Sequence, residues 1–153
     1  MKQVGADKYN VAWFKLADCI ARGEKERALG VYRLLSHSLD DKALACQLYG
    51  DILFAFDDEK AKEKYQEAAA LYQQHNRLFE AAGVFEHLIV LDPKQIAHKK
   101  ILIELYQQVG IITKVKRYSQ EVINYYIEKN DWNRAVEAVR LYETCADDAF
   151  NAQ

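Results

Sequence analysis

Residues 68–93 read AAALYQQHNRLFEAAGVFEHLIVLDP, and this stretch decides the fold. Leu78, Ala81, Ala82, Phe85 and Leu88 recur three and four apart, the spacing of one face of an α-helix, with no strand-like alternation. Ala69 and Tyr72 belong to an apolar face of the same kind just upstream, and His75-Asn76 separates the two. Leu91-Asp92-Pro93 stops the second run. Asp92 is suited to capping a following helix, and Pro93 to its first turn, where a missing backbone N–H costs nothing.

The same periodicity extends in both directions. It predicts helices over about residues 7–22, 24–37, 41–55, 58–74, 77–91, 94–108, 112–129 and 131–146. Gly23 and Gly110 end helices, while Asp40-Asp41 and Asn130-Asp131 supply capping side chains. Asp57-Asp58-Glu59 places carboxylates at the positive end of the fourth helix. Connections this short force each helix to run antiparallel to the last. The expected fold is therefore all-α, a right-handed α-solenoid of about eight helices in four hairpins. It forms one domain over residues 1–146, with residues 147–153 as a frayed tail. Composition agrees: of 153 residues 50% are hydrophobic, with one Pro and six Gly, too few turn-formers for an all-β chain. A chain of this length buries enough surface to fold without disulfides or metal.

An internal repeat supports the solenoid. Leu16-Ala17, Ile20, Ala28 and Tyr32 recur 33 residues later as Tyr49-Gly50, Leu53, Ala61 and Tyr65. The small residues let neighbouring helices approach, and the tyrosines fill the adjoining holes. A period near 33–34 residues is that of stacked helix pairs.

These residues resemble the tetratricopeptide-repeat superfamily. The carriers are Trp13-x-x-Leu16-Ala17-x-x-Ile20 with Ala28-x-x-x-Tyr32, then Tyr49-Gly50-x-x-Leu53 with Ala61-x-x-x-Tyr65. A third unit runs from Ala69 and Tyr72 through Ala81, Phe85 and Leu88 to Leu91-Asp92-Pro93. Leu102, Tyr106 and Gly110 look like the opening of another, and Tyr126, Ala135 and Val139 like a last one. The loops at Gly23, Asp57-Asp58, His75-Asn76, Gly110 and Asn130-Asp131 all look like turns inside hairpins, whereas Leu91-Asp92-Pro93 looks like a junction between them. Ala68-Ala69-Ala70-Leu71-Tyr72 followed by Ala81-Ala82-Gly83-Val84-Phe85 is similar to the helix pairs of one branch, the soluble NSF-attachment proteins. The resemblance implies a non-enzymatic protein–protein interaction module, an adaptor or scaffold that binds a partner peptide or helix on a concave surface. A small chaperone of a secreted or assembly client and a membrane-trafficking adaptor are the alternatives it implies.

The chain lacks the signatures of catalysis. Its six glycines are isolated, so no phosphate-cradling loop is present. His37, His75, His87 and His98 fall on different helices or helix ends, read as surface or boundary residues, and none sits at metal-ligand spacing from a second His or Cys. No metal, cofactor or catalytic residue is expected. Cys19, Cys46 and Cys145 form no CxxC pair and read as reduced thiols. No leader-like apolar run opens the chain and no stretch approaches the ~20 apolar residues that span a bilayer, so the expectation is a soluble, cytoplasmic protein. A net charge of −2 argues against nucleic acid as a partner.

Charge is nevertheless uneven. Lys94, Lys99, Lys100, Lys114, Lys116 and Arg117 fall within residues 94–117, opposed only by Glu104. This block reads either as a solvated face or as a site for an acidic peptide or anionic surface. If the fourth and sixth helices line a groove, its walls include Gln66, Ala70, Gln73 and Gln74, then Lys100, Glu104, Gln107 and Gln108. Such amides can bond an extended backbone without demanding one charge. Tyr32, Tyr49, Tyr65, Tyr72, Tyr106, Tyr118 and Tyr142 sit at apolar spacing, read as packing rings whose hydroxyls reach the surface or as anchors for a partner. Tyr125-Tyr126 is the strongest anchor candidate, because adjacent helical residues diverge by about 100°. Trp13 and Trp132 read as packing residues. Self-association is a further expectation, since an open solenoid has exposed ends.

Overall fold

The computed structural model describes the backbone of residues 3–151 and, within it, the side chains of residues 11–143. Among these residues there are eight helices and no strand. They are α1 (Gln3–Ala21), α2 (Lys25–Ser36), α3 (Lys42–Ala55), α4 (Ala61–Gln74), α5 (Leu78–Leu91), α6 (Ile96–Gln108), α7 (Ile112–Glu128) and α8 (Trp132–Asn151). None is long and apolar enough to cross a membrane.

Five connections share one geometry. Gly23, Asp57, Asn76, Gly110 and Asn130 all have φ between 52° and 76°, in the left-handed region. In each, this residue donates its N–H three residues back, and the next residue donates five back: Glu24 to Cys19 at 2.9 Å, Asp58 to Leu53 at 2.9 Å, Arg77 to Tyr72 at 2.8 Å, Ile111 to Tyr106 at 2.9 Å and Asp131 to Tyr126 at 2.9 Å. The pair of bonds satisfies carbonyls that a helix end leaves open. Gly, Asn and Asp tolerate that backbone best, which is why these residue types punctuate the chain. Gly23 and Asp57 lie 34 residues apart, as do Asn76 and Gly110. The links from α2 to α3 and from α5 to α6 contain no such residue.

Burial follows the same register. Four or five residues after the left-handed residue of each of these five loops sits Ala28, Ala61, Ala81, Val115 or Ala135, and all are buried. Four residues further on come Tyr32, Tyr65, Phe85, Ser119 and Val139. The first three are aromatic, whereas the fourth is the smallest of the five.

Three helix starts depart from expectation. Asp58 does not open α4: its Oδ1 accepts from Lys60 N (2.9 Å) and its Oδ2 pairs with Lys25 Nζ (2.6 Å), so a turn delays the helix to Ala61. Asp92 and Pro93 do not open α6 either. Gln95 N donates to Asp92 O (3.1 Å), the chain turns there, and Gln95 is the N-cap. α1 begins at Gln3 rather than near residue 7. At the other end, α8 runs past Ala146 to Asn151, and Cys145 lies outside the described side chains. Asp41 caps α3 as expected, accepting from Leu44 N at 3.1 Å.

The chain divides into two compact units, residues 1–71 and 72–153. In the first, α1 packs on α2 and α2 on α3. Its core joins Leu16, Cys19, Ala28, Leu35 and Ile52. Gly50 lets α3 and α4 meet: a Cβ there would stand 2.8 Å from the buried ring of Tyr65. Ala17 is exposed and has no comparable role. In the second unit α5 packs on α6, α6 on α7 and α7 on α8. Leu102, Leu105, Val115, Val122 and Tyr126 are buried there. Trp132, expected to pack, is 59% exposed. His98, expected at the surface, is buried with its ring 5.9 Å from that of Phe85.

The tyrosine hydroxyls do not simply reach the surface. Tyr65 OH donates to Asp51 Oδ1 (2.8 Å) and Tyr32 OH to Ala45 O (2.9 Å). Burial, then the Asp51 contact, pushes the Tyr65 hydroxyl pKa well above its usual value. These rings act as packing elements pinned at their polar ends.

Candidate interaction groove

The second unit holds a three-helix arrangement with a hollow along it. α7 contacts both α6 and α8, so it forms the floor and they form the walls. The cavity measures about 220 Å³. Each helix contributes at intervals of three, four and seven residues, the repeat of a single helical face. α7 supplies Ser119, Val122 and Tyr126; α6 supplies Lys100, Ile103, Glu104 and Gln107. α8 adds Arg134, Glu137, Ala138, Leu141 and Tyr142.

Ser119 accounts for the hollow. Its equivalents one repeat or more away are Tyr32, Tyr65 and Phe85, large rings packed into the protein. A serine at this register leaves the space between the flanking helices unfilled. The remaining floor is apolar, and the exposed rim residue Leu141 extends it outward.

The rim is charged in an ordered way. Lys100 Nζ lies 5.3 Å from the centre of the Tyr126 ring, and the Arg134 guanidinium lies 5.9 Å from the same ring. Two cations thus sit at one aromatic, a favourable contact in itself. Lys100 has no carboxylate partner among the described residues, although Glu104 is one turn away. Arg134 pairs weakly with Asp131 at 3.5 Å and stays mostly exposed. Glu104 and Glu137 occupy the next turn of each wall.

A half-buried node links α5, α6 and α7. Glu86 Oε1 accepts from Lys114 Nζ (2.7 Å), Tyr106 OH (2.9 Å) and Tyr118 OH (3.0 Å). The two rings stack with 8° between planes. Burial opposes ionisation of Glu86, but the three donors outweigh it and hold its pKa below the usual carboxylate range. Burial, then the bond to Glu86, pushes Tyr118 up to about 12, and the same causes raise Tyr106.

The residues singled out by sequence are therefore dispersed. Lys100, Glu104 and Gln107 come together in the cavity. Lys99 turns away, pairing with Glu121 at 2.9 Å, and with Lys94 and Tyr125 it borders a wider groove of about 530 Å³. Arg117 also pairs with Glu121 (3.3 Å), and Lys114 belongs to the Glu86 node. Lys116 and Gln108 are exposed outside both hollows. Gln66, Gln73 and Gln74 are exposed on α4, Gln66 in the first unit and the other two in the second. The two anchor candidates split, Tyr126 flooring the cavity and Tyr125 bordering the wider groove. The contribution of α8, and of Ser119, was not read from the sequence. Continuing the small-x-x-x-aromatic register from Ala81-Phe85 to Val115-Ser119 was the signal that could have found it.

Among the described residues no cluster of His, Cys, Asp or Glu is placed to hold a metal ion. Cys19 and Cys46 are free thiols. No protein-family model matches the chain. No curated protein is significantly similar to it.

Proposed function

We propose that this chain is a non-enzymatic interaction module of tetratricopeptide-like build that binds a protein segment in the α6–α8 groove. In this reading the helices stack as antiparallel hairpins in a right-handed solenoid, and the protein works in the cytoplasm as an adaptor or scaffold. The observation that carries the reading is the hollow at Ser119, a departure from the repeat's own packing rule on a surface lined by α6, α7 and α8. Its size supports a protein partner. At about 220 Å³ it is below the roughly 300–1,000 Å³ of small-molecule pockets and suits one or two anchoring side chains. A preformed apolar hollow with a polar rim reduces the ordering cost of such binding.

The test is affinity capture from native lysate, followed by binding of the purified captured protein. Wild type is compared with Leu141→Glu, with Lys100→Glu and with Lys116→Glu, the last exposed outside the hollow. All four are first shown by circular dichroism to be helical. A partner lost with the first two variants and kept by the third is the expected result. A partner kept by all of them would refute the groove as its site.

A further inference from the structure

The charge order along the groove specifies what kind of segment fits it. We infer that the occupant is an amphipathic helix of a partner protein carrying an acidic residue, a basic residue four positions later and a bulky apolar residue seven positions later. This inference rests on the interaction reading above and deepens it.

The argument is one of register. At one end Lys100 and Arg134 flank Tyr126 and attract a carboxylate. Four residues along α6 comes Glu104, with Glu137 three residues along α8; these attract a cation. Seven residues along from Lys100, Tyr126 and Arg134 come Gln107, Ser119 and Leu141, an uncharged end of the hollow where a bulky side chain finds open space beside Leu141. At 1.5 Å per residue these steps are about 6 Å and about 10.5 Å. A helix lying along the groove reproduces both on one face, at i, i+4 and i+7. An extended strand repeats on one face every ~6.7 Å, so its third contact falls about 3 Å too far.

A second copy of the chain fits poorly. Its sequence contains two acid-to-base pairs at i, i+4, Asp18-Arg22 and Asp58-Lys62. The first is followed at i+7 by Lys25, and the second by Tyr65, which is fully buried.

The probe is a fluorescein-labelled helical peptide in an Ala/Gln host with Glu, Lys and Phe at i, i+4 and i+7. Its comparator has Lys in place of the Glu. Fluorescence anisotropy with wild type should favour the Glu peptide by at least about tenfold. Lys100→Glu/Arg134→Glu should reverse that preference. Leu141→Glu, at an exposed position where the fold tolerates charge, should weaken both peptides. Equal affinity of the two peptides, or no binding up to about 1 mM, would overturn the inference. If Leu141-dependent capture of a partner persists in that case, the interaction reading stands and only the helix pattern fails; if capture is also absent, both fail. A wild-type dimer in sedimentation velocity that Leu141→Glu dissociates would overturn it in favour of self-association.

Discussion

Replacing Gly50 by alanine tests the packing rule on which the repeat is built. Gly50 sits inside α3, where alanine by itself favours the helix by about 0.5–1 kcal/mol. The added Cβ, however, would lie 2.8 Å from Cδ1, 2.9 Å from Cε1 and 3.2 Å from Cγ of Tyr65. That ring has no room to retreat: it is fully buried, and its hydroxyl is held by Asp51 at 2.8 Å. Overpacking of this kind costs about 1–3 kcal/mol, so at mid-range the net effect is a loss of about 1 kcal/mol. Gly30 in α2 and Gly83 in α5 are the controls, since nothing lies within 4 Å of a Cβ at either. Alanine there should raise stability by about 0.5–1 kcal/mol. Urea unfolding reads the difference. Trp13 reports on the first unit in a Trp132→Phe background, and Trp132 on the second in a Trp13→Phe background. A Gly50→Ala protein that gains stability as Gly30→Ala does would refute the close-approach argument. A double-mutant cycle adds a sharper condition, for in a Tyr65→Leu background Gly50→Ala should no longer destabilise.

Three further outcomes follow from the same geometry. Glu86→Gln should lower stability at pH 7 by about 1–2 kcal/mol, a figure reduced from full charged-bond values because the carboxylate is partly exposed. The Glu86 pKa is depressed in the folded protein, so its contribution is complete above the unfolded value of about 4.3 and is lost as pH falls through the lower folded value; urea midpoints measured from pH 6 to 3 should fall by a smaller amount in the variant. Asn76→Gly and Asn130→Gly should raise the urea midpoint slightly while Gly110→Ala lowers stability by about 1 kcal/mol, because all three positions hold a left-handed backbone. Ser119→Phe should fill the hollow, raise stability by about 1 kcal/mol and abolish partner capture; unchanged capture with a stabilised fold would separate the cavity from binding.

Helix number and loop positions were legible because they depend on local chemistry. A left-handed turn favours Gly, Asn or Asp, and the chain shows one at each of five loops. The start of α6 was less legible. Asp92-Pro93 suits a helix opening, but the backbone bond from Gln95 to Asp92 forms a turn first, a choice that residue types alone do not dictate. The basic block divides for a geometric reason. Lys99 and Lys100 are neighbours in sequence yet point about 100° apart, so one pairs with Glu121 and the other lies over Tyr126. Likewise Lys114 reads as a surface cation until Glu86, 28 residues earlier, is brought beside it.

The groove was hidden for a different reason, since it is made by a residue that is too small rather than by one with conspicuous chemistry. In a repeat, each position carries an expectation set by its equivalents, and a departure then has a physical consequence. Tyr32, Tyr65 and Phe85 define a position that a large ring fills, so Ser119 predicts a void there and nowhere else in the register before it. Voids are costly, because their lining loses contacts on one side. A protein can hold one when a partner fills it, and Lys100 beside the void, with no carboxylate partner among the described residues, points the same way. The stabilising effect expected of Ser119→Phe is thus the other face of the binding argument: the side chain that would complete the repeat is the one that would close the site.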